Sequence, residues 1–235
     1  MKTDVWVTIA ISIIAVPLFI ILAIILMIAS IIARPLIFPM AKIVVRIMLV
    51  VLGIRLKIEG SFPDKGQYII MSNHCSFIDV LLLPAVIKGK YTAVVALYNF
   101  KYPVWKQLLL SFKVIPIDRY NRTHAVNGIQ TAEEVIKTKG YHVILLPEGG
   151  RTETGKMQPL KKGGFHMAIN TNTPILPIGL EGAYEYKPFH RKTFKPGKVI
   201  VRVGEPITTD RYEGLGLDGL LRETELNLKK LSGEV

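Results

Sequence analysis

The sequence predicts an α/β fold: a layered central sheet flanked by helices, preceded by a two-helix motif that attaches the chain to a membrane. Three observations lead to this prediction. Short apolar runs of strand length alternate along the chain with segments of helical length. Residues 5–33 contain no charged residue, and a second, largely apolar stretch follows at residues 35–53.

The uncharged run from Val5 to Ala33 is predicted to be a retained membrane helix. It is clearly longer than the roughly 20 apolar residues that span a bilayer core. A cleaved signal peptide has a shorter apolar core and a more basic start than the single Lys2 of this chain. Pro17 lies near the middle of the run, where it can kink the helix or split it.

The second apolar stretch carries Lys42 and Arg46, which are four residues apart and share one face of a helix. This pattern predicts an interfacial helix whose cations face lipid head groups; a core helix with two solvated cations is the alternative. Arg34, Lys42 and Arg46 follow the apolar run, and only Lys2 precedes it. The positive-inside rule therefore predicts a cell-membrane protein with its remainder on the cytoplasmic face. Crossing the bilayer and dipping into one leaflet both fit this pattern.

We therefore predict a membrane-associated segment, residues 1–53, and an α/β domain, residues 54–235. The predicted strands are Ile54–Glu59, Tyr68–Met71, Ala93–Leu97, Val114–Ile117, Val143–Leu146, Ile175–Ile178 and Lys198–Val203. The predicted helices are Ser76–Ile87 with Ser76 as N-cap, Val104–Phe112, His124–Lys139 closed by Gly140, Gly164–Asn170 and Asp218–Leu231. Ligands of such sheets gather at the carboxyl ends of strands, so polar residues that follow strands are the candidate site.

The chain is basic, with a formal net charge of +12. A basic surface suits anionic membranes, phosphate-bearing substrates or nucleic acid. The apolar segment favours membranes, and no nucleic-acid-binding motif is present, so we expect no nucleic-acid partner. The single cysteine, Cys75, excludes an intrachain disulfide. Neither the histidines nor Cys75 show metal-ligand spacing, so no metal and no cofactor are expected.

The first candidate motif is Asn73-His74-Cys75-Ser76-Phe77-Ile78-Asp79. A carboxylate that accepts a hydrogen bond from one imidazole nitrogen fixes the tautomer, so that the other nitrogen can take a proton from a hydroxyl. His74 and Asp79 are therefore the candidate catalytic pair. The alternative is a capping Asn-His pair with a solvated Asp79. Cys75 is a rival nucleophile, although neighbouring side chains on a turn usually point apart.

A glycine-rich loop, Pro147–Lys156, follows a predicted buried strand. It comes close to a P-loop, but Met157 stands where the magnesium-binding hydroxyl belongs, which disfavours a nucleotide triphosphatase. The loop can still bind phosphate through backbone N–H groups and Arg151, or be an ordinary turn. Arg119 and Arg122, three residues apart after another strand, fit a phosphate clamp and surface salt bridges equally well.

Together these motifs resemble the glycerolipid acyltransferase superfamily, specifically its bacterial 1-acylglycerol-3-phosphate acyltransferases. The resemblance covers roughly residues 54–208, and four ordered blocks are more specific than any one motif. The blocks are Asn73-His74 with Asp79, which fits the family's His-x4-Asp pattern, Ile117-Asp118-Arg119, Pro147–Thr152 and Thr173–Pro177. The stretch Lys161–Phe165 also looks similar.

The resemblance implies that His74, oriented by Asp79, deprotonates the sn-2 hydroxyl of 1-acylglycerol-3-phosphate (lysophosphatidic acid). That oxygen attacks acyl-CoA or acyl-carrier protein, and phosphatidic acid forms. The substrate-binding residues that it implies are Arg119, Glu148, Gly149, Gly150, Arg151 and Lys101. Gly150 departs from the family's usual threonine, and Lys101 is expected to substitute for a Lys-Lys-Glu run that this chain lacks.

Three other functions remain open at this stage. The acceptor could be glycerol-3-phosphate or another lysolipid. The chain could be a non-catalytic membrane lipid-binding protein, although His74 and Asp79 are both present. A cysteine or histidine thioester hydrolase would release free fatty acid without an acceptor.

Overall fold

The computed structural model describes residues 2–235, with side chains from Asp4 onward. Two helices, α1 (Lys2–Ile32) and α2 (Ile37–Val51), are joined by a 3-10 turn, Arg34–Leu36. The strands are β1 (Ile54–Glu59), β2 (Ile69–Ser72), β3 (Tyr91–Ala96), β4 (Ile115–Ile117), β5 (His142–Leu145), β6 (Ile175–Glu181) and β7 (Gly197–Val203). The remaining helices are α3 (Asp79–Val86), α4 (Pro103–Ser111), α5 (Arg122–Lys139), α6 (Gly163–Thr171), α7 (Ala183–Tyr186) and α8 (Tyr212–Ser232).

Helix α1 is apolar and mostly exposed. It continues through Pro17, so the proline does not split it. Its segment Asp4–Ile32 is long and apolar enough to cross a membrane, with a mean hydropathy of 3.2, and only 17% of its most apolar stretch is buried in the protein. The helix contacts α4, where the rings of Phe19 and Trp105 lie 5.9 Å apart. Most aliphatic side chains of α1 therefore face outward, as they do on a helix surrounded by lipid.

Helix α2 is amphipathic and packs on α3. Lys42 and Arg46 share one face as predicted, but they do not project freely toward lipid head groups. Lys42 Nζ lies 3.4 and 3.3 Å from the carbonyl oxygens of Val86 and Ile87, and Arg46 Nη2 donates to the carbonyl of Ala85 at 3.2 Å. The last carbonyls of a helix lack partners within it and carry the negative end of its dipole, so they attract these cations.

Seven strands form one sheet in the order β1-β7-β6-β2-β5-β3-β4, which confirms the predicted α/β class. Strands β6, β2, β5, β3 and β4 are parallel; β7 is antiparallel to β6, and β1 is parallel to β7. All residues of the neighbouring strands β2 and β5 are buried. Burial on both faces explains why these strands are continuous rather than alternating apolar runs.

The segments that carry the candidate site residues lie at one edge of the sheet. Strands β2, β5, β3 and β4 are adjacent and parallel, so their carboxyl ends lie side by side. Residues 73–79 follow β2, residues 97–101 follow β3, residues 118–122 follow β4, and residues 146–151 follow β5. The prediction that these segments share one edge is confirmed.

Several predicted boundaries need correction. Helix α3 begins at Asp79, not Ser76, because the Asp79 carboxylate accepts the Ser76 N–H and closes a turn before the helix. Strand β3 ends at Ala96, and residues 97–101 form a 3-10 turn. Helix α8 starts at Tyr212, earlier than predicted, and Gly216 interrupts it with φ +58° and ψ −177°. Gly140 closes α5 in the left-handed conformation, as predicted.

We predict that Gly179→Ala destabilises the fold. Helix α8 packs so closely on β6 that a Cβ at Gly179 would collide with the backbone carbonyl of Leu231. Overpacking of this kind costs about 1–3 kcal/mol, which lowers the midpoint of thermal unfolding in detergent.

The matched control is Gly214→Ala, on α8 itself. No atom lies within 4 Å of the Cβ position there, so the substitution should leave the midpoint unchanged or raise it slightly. A Gly179→Ala variant as stable as the Gly214→Ala variant would contradict the packing of α8 on the sheet.

Candidate active site

His74 and Asp79 form a hydrogen-bonded pair at the carboxyl end of β2. His74 Nδ1 lies 2.8 Å from Asp79 Oδ2. The Asp79 side chain is 1% exposed, and that of His74 is 19% exposed. The alternative of a solvated Asp79 is therefore wrong. His74 Nε2 has no hydrogen-bond partner among residues 2–235, so this nitrogen is available to a ligand.

The Asp79 carboxylate is fixed by the backbone as well as by the imidazole. Its Oδ2 also accepts the N–H groups of Cys75 at 2.9 Å and Ser76 at 3.1 Å. The preceding residue, Asn73, binds both backbone groups of Leu180 on β6, through Nδ2 at 2.9 Å and Oδ1 at 2.8 Å. The turn is therefore tied to the sheet on one side and closed by a buried carboxylate on the other.

Cys75 is unsuited to be the nucleophile. The residue is 6% exposed, and its sulfur accepts a hydrogen bond from Asn73 Nδ2 at 2.9 Å. Burial, followed by the charges of Asp79 and Glu148, raises the pKa of the Cys75 thiol far above its ordinary value. Because the thiolate is the reactive species, this cysteine stays inert near neutral pH.

Glu148 lies behind the loop that follows β5 and connects that loop to the histidine turn. The residue is 4% exposed. Its Oε1 accepts the His74 N–H at 2.6 Å, and its Oε2 accepts the Gln158 N–H at 2.7 Å. The Thr152 N–H donates to the His74 carbonyl at 2.8 Å. The peptide groups on both sides of His74 are thus held by the glycine-rich loop.

Two arginines, one that contacts that loop and one within it, make different contacts. Arg119 Nη1 donates to the Gly149 carbonyl, and its guanidinium lies 5.9 Å from the centre of the Tyr98 ring. Gly149 adopts φ +72°, a conformation that favours glycine. The Arg151 guanidinium lies 5.0 Å from the centre of the Phe189 ring. Arg151 makes no side-chain hydrogen bond or ion pair within the described chain, so its donors are free for an anion.

The end of the loop forms a self-contained turn rather than a P-loop. Thr152 Oγ1 accepts the Gly155 N–H at 3.1 Å and donates to the Lys156 carbonyl at 2.6 Å. The Lys156 N–H donates to Thr154 Oγ1 at 3.3 Å. The N–H groups of Thr154, Gly155 and Lys156 are therefore occupied within the turn and are not presented to a phosphate as in a P-loop, which further disfavours the triphosphatase hypothesis.

A cavity of about 1060 Å³ extends from His74 toward the N-terminal helices. Its polar end is lined by His74, Asp79, Arg119 and Arg151. Its walls are mainly apolar and come from α1, α2, α3, β3 and α4, including Phe19, Met48, Val80, Val94 and Trp105. The space therefore joins a general-base candidate and two cations to a long apolar compartment beside the exposed helix α1.

The structure separates the predicted site residues into three groups. His74, Asp79, Arg119, Gly149 and Arg151 line the cavity. Glu148 and Gly150 belong to the loop but lie outside the cavity lining; a Cβ at Gly150 would be 3.4 Å from Arg119 Nη1. Lys101 is exposed on the 3-10 turn after β3, in a separate pocket beside Met27 of α1. Lys101 therefore does not line the cavity of His74, and its role as a substitute for a substrate-binding lysine stays a prediction.

Sequence reasoning missed two residues of this site. Gln158 donates its N–H to Glu148 and its side-chain amide to the Arg151 carbonyl at 2.9 Å, and no sequence signal marks it. Lys161 lines the cavity, and its only signal is its place in the stretch Lys161–Phe165. Among the described residues, no group of three or more His, Cys, Asp or Glu side chains could hold a metal ion.

Comparison with known protein families shows to which family the chain belongs. The model of the Acyltransferase family matches residues 53–181, a range that holds the His74 turn, Arg119 and the glycine-rich loop. The chain belongs to the acyltransferase family. The matched range begins just before β1 and ends with β6, so it covers the part of the sheet that carries the candidate site.

Curated members of the acyltransferase family resemble the chain over much of its length. The 1-acyl-sn-glycerol-3-phosphate acyltransferase of Cocos nucifera is 30% identical over 168 residues, which are 72% of this chain and 54% of that protein. The 1-acyl-sn-glycerol-3-phosphate acyltransferase alpha of Homo sapiens is 29% identical over 67% of this chain and 56% of that protein. The chain spans little more than half the length of these relatives.

A solved structure shares the fold. It is the crystal structure of the 1-acyl-sn-glycerophosphate (LPA) acyltransferase PlsC from Thermotoga maritima, with a TM-score of 0.84. The two proteins are 22% identical, and the match covers 97% of this chain and 94% of the other. The seven-stranded sheet and its flanking helices are thus a fold that this chain shares with that solved structure.

We predict that Glu148 makes the stability of the acyltransferase fall as pH rises from about 4.5 to about 7. Burial raises the pKa of the Glu148 carboxyl to about 7, although the Gln158 and His74 N–H groups oppose the shift. In this pH window the folded state binds more protons than the unfolded state. The contribution of Glu148 to stability is therefore complete below the pKa of the unfolded state, and it is lost as pH rises through the pKa of the folded state. The loss amounts to roughly 3 kcal/mol.

The measurement is thermal unfolding of wild type and Glu148→Gln in detergent across this pH range. Glutamine cannot ionise, so the unfolding midpoint of wild type should fall relative to that of the variant as pH rises, and the difference should level off above about pH 7. A difference that stays constant, or that moves in the opposite direction, would contradict the buried, neutralisable Glu148.

Proposed function

We propose that this acyltransferase moves a fatty acyl group from acyl-CoA or acyl-carrier protein to the sn-2 hydroxyl of 1-acylglycerol-3-phosphate, forming phosphatidic acid. The names of the plant and mammalian relatives support this acceptor. The observation that carries the proposal is the His74–Asp79 pair at the polar end of a large apolar cavity. A base, cations and an apolar compartment are what transfer between a phospholipid and a fatty thioester requires.

The pair is suited to general-base catalysis. The hydrogen bond from His74 Nδ1–H to Asp79 leaves Nε2 with a lone pair that can accept the proton of the acceptor hydroxyl. The oxygen attacks the thioester carbonyl carbon, the carbon–sulfur bond breaks, and the departing sulfur takes the proton from the imidazolium. The buried carboxylate stabilises that imidazolium. We propose that Asn73-His74 with Asp79 is the family's His-x4-Asp block.

The loop supplies the groups that would bind the charges of the reaction. The free donors of Arg151 suit the acceptor's phosphate, while Arg119 fixes the Gly149 carbonyl and adds positive charge. The N–H groups of Gly150 and Arg151 have no acceptor among residues 2–235, so they are candidates to stabilise the tetrahedral oxyanion. Glu148 acts as a positioning residue, because it holds the backbone of His74 rather than facing a substrate.

The N-terminal helices provide the lipid side of the site. Their cavity-lining residues, such as Phe19 and Met48, suit the acyl chains of the two substrates. We propose residues 1–53 as the membrane-associated part and residues 54–235 as the catalytic part, lying on the cytoplasmic face of the cell membrane. The exposed apolar surface of α1 supports insertion into lipid. The bacterial subgroup stays a proposal that rests on the resemblance of the sequence blocks.

We predict that His74→Ala lowers acyl transfer to 1-acylglycerol-3-phosphate by about 10³-fold, because it removes the base. Cys75→Ala should keep most of the activity, since the thiol is buried and protonated. The assay uses purified protein in detergent, a labelled acyl thioester and a panel of acceptors that includes glycerol-3-phosphate and other lysolipids. Labelled lipid products and free fatty acid are both quantified.

The controls separate this function from the alternatives. Unfolding midpoints of both variants should match wild type, which excludes loss of the fold. An inactive but folded Cys75→Ala variant would refute the base mechanism. Free fatty acid released at the same rate without any acceptor would identify a thioester hydrolase. Transfer that prefers glycerol-3-phosphate over every lysolipid would replace the proposed acceptor.

A further inference from the structure

We propose that Lys161 binds the phosphate of the acceptor lipid together with Arg151, and so determines selectivity for phosphate-bearing acceptors. This inference rests on the proposed function. Lys161 lies in the connection between the glycine-rich loop and α6, and its N–H donates to the Pro147 carbonyl at 2.8 Å. Its backbone is therefore fixed beside the start of the loop whose Arg151 faces the cavity.

The side chain of Lys161 reaches the site across Gly149. A Cβ at Gly149 would lie 2.7 Å from Lys161 Nζ and 2.8 Å from its Cε, so the ammonium group rests against the bare α-carbon of this glycine. Both residues line the cavity that contains His74. The carbonyl oxygen of the same residue, Gly149, accepts a hydrogen bond from Arg119. Two cations thus bracket one residue of the loop at the polar end of the cavity.

The ammonium group of Lys161 makes no hydrogen bond and no ion pair with residues 4–235, the part of the chain whose side chains are described. The next residue, Lys162, differs in this respect: its Nζ donates to Asp218 Oδ1 at 2.8 Å, on the outer surface. Adjacent lysines therefore have different environments, one paired with a carboxylate and the other left with three free donors in the cavity.

The charged side chains that line the cavity have a net positive charge. Arg119, Arg122 and Arg151 line the same cavity as Lys161. Two carboxylates also line it: Asp79 is bound by His74 and by backbone N–H groups, and Glu133 accepts from Asn170 Nδ2 at 3.0 Å. Neither carboxylate pairs with these cations, so the site is prepared for an anion from a ligand.

The distance between phosphate and reacting group differs between the two substrates, and this difference indicates which substrate supplies the phosphate at this site. In 1-acylglycerol-3-phosphate the phosphorus is three bonds from the carbon that bears the reacting hydroxyl, so its phosphate must lie beside His74. The phosphates of a CoA or carrier-protein thioester lie at the far end of a pantetheine arm. Cations that line the same cavity as the base, Lys161 and Arg151 among them, therefore suit the phosphate monoester of the acceptor.

The kinetic test compares Lys161→Met with Lys162→Met. Methionine keeps the length of the side chain and removes its charge, and Lys162 is the matched control because it is paired outside the cavity. Loss of a charged contact to the phosphate should raise the apparent KM for 1-acylglycerol-3-phosphate about tenfold or more in Lys161→Met, with the KM for the thioester unchanged. Lys161→Arg should recover part of the loss, and Lys162→Met should behave as wild type.

A neutral acceptor separates phosphate binding from a general structural effect. Transfer to 1-monoacylglycerol, which lacks the phosphate, should be equally slow in wild type and Lys161→Met, so the variant should lose selectivity between the two acceptors. An equal loss on both acceptors would show a structural role and overturn the proposal. An apparent KM for the phosphate acceptor within about twofold of wild type would also overturn it.

A binding measurement without turnover keeps this inference separate from the proposed reaction. Wild-type protein is treated with a lysine-acetylating reagent, with no thioester present, and mass spectrometry follows acetylation at Lys161 and Lys162. Added 1-acylglycerol-3-phosphate should protect Lys161 but not Lys162, and 1-monoacylglycerol should protect neither. Protection in a protein that transfers no acyl group would uphold the phosphate site while the proposed reaction fails. An active wild type without protection would overturn the phosphate site alone.

Discussion

The buried carboxylate of Asp79 is the group on which the site depends. It accepts the Nδ1–H of His74 at 2.8 Å and the N–H groups of two following residues, and it is 1% exposed. A carboxylate taken out of water needs such partners, since an unpaired buried charge is strongly unfavourable. The same contacts close the turn before α3 and orient the imidazole, so one desolvated charge determines both the local fold and the chemistry of His74.

The remainder of the molecule places this turn between a loop and a lipid-facing compartment. Glu148, after β5, accepts the His74 N–H, and Asn73, after β2, binds the backbone of Leu180 on β6, so the turn that carries His74 is attached to three adjacent strands. On the other side, α1 and α2 close the cavity with apolar walls. In the proposed reaction, the hydroxyl of a membrane lipid would reach the base at a rigid sheet edge without leaving apolar surroundings, and its head group would stay among the cations of the loop.

The architecture and the His74–Asp79 pair could be predicted from the sequence, because both depend on local pattern. Apolar runs specified the strands, and their parallel order brought His74, Arg119 and Arg151 to one edge. Contacts between segments that are distant in the chain have no such local pattern in the sequence, so they could not be predicted. The true start of α3 depends on a carboxylate that folds back on the preceding turn. The partners of Lys42 are carbonyls of another helix. Lys161 and Lys162 are adjacent lysines that no sequence pattern distinguishes, and only the tertiary fold gives Lys162 its Asp218 and leaves Lys161 in the cavity.

We expect Asp79 to fix the proton of neutral His74 on Nδ1 and to leave the lone pair of Nε2 toward the cavity. Nitrogen-15 NMR of protein with labelled histidine, in detergent micelles and at a pH where the ring is neutral, reports the tautomer directly. The signals of His74 are assigned by their absence in His74→Ala. We predict a protonated Nδ1 and an unprotonated Nε2, and loss of this preference in Asp79→Asn. A neutral His74 that carries its proton on Nε2 would contradict it.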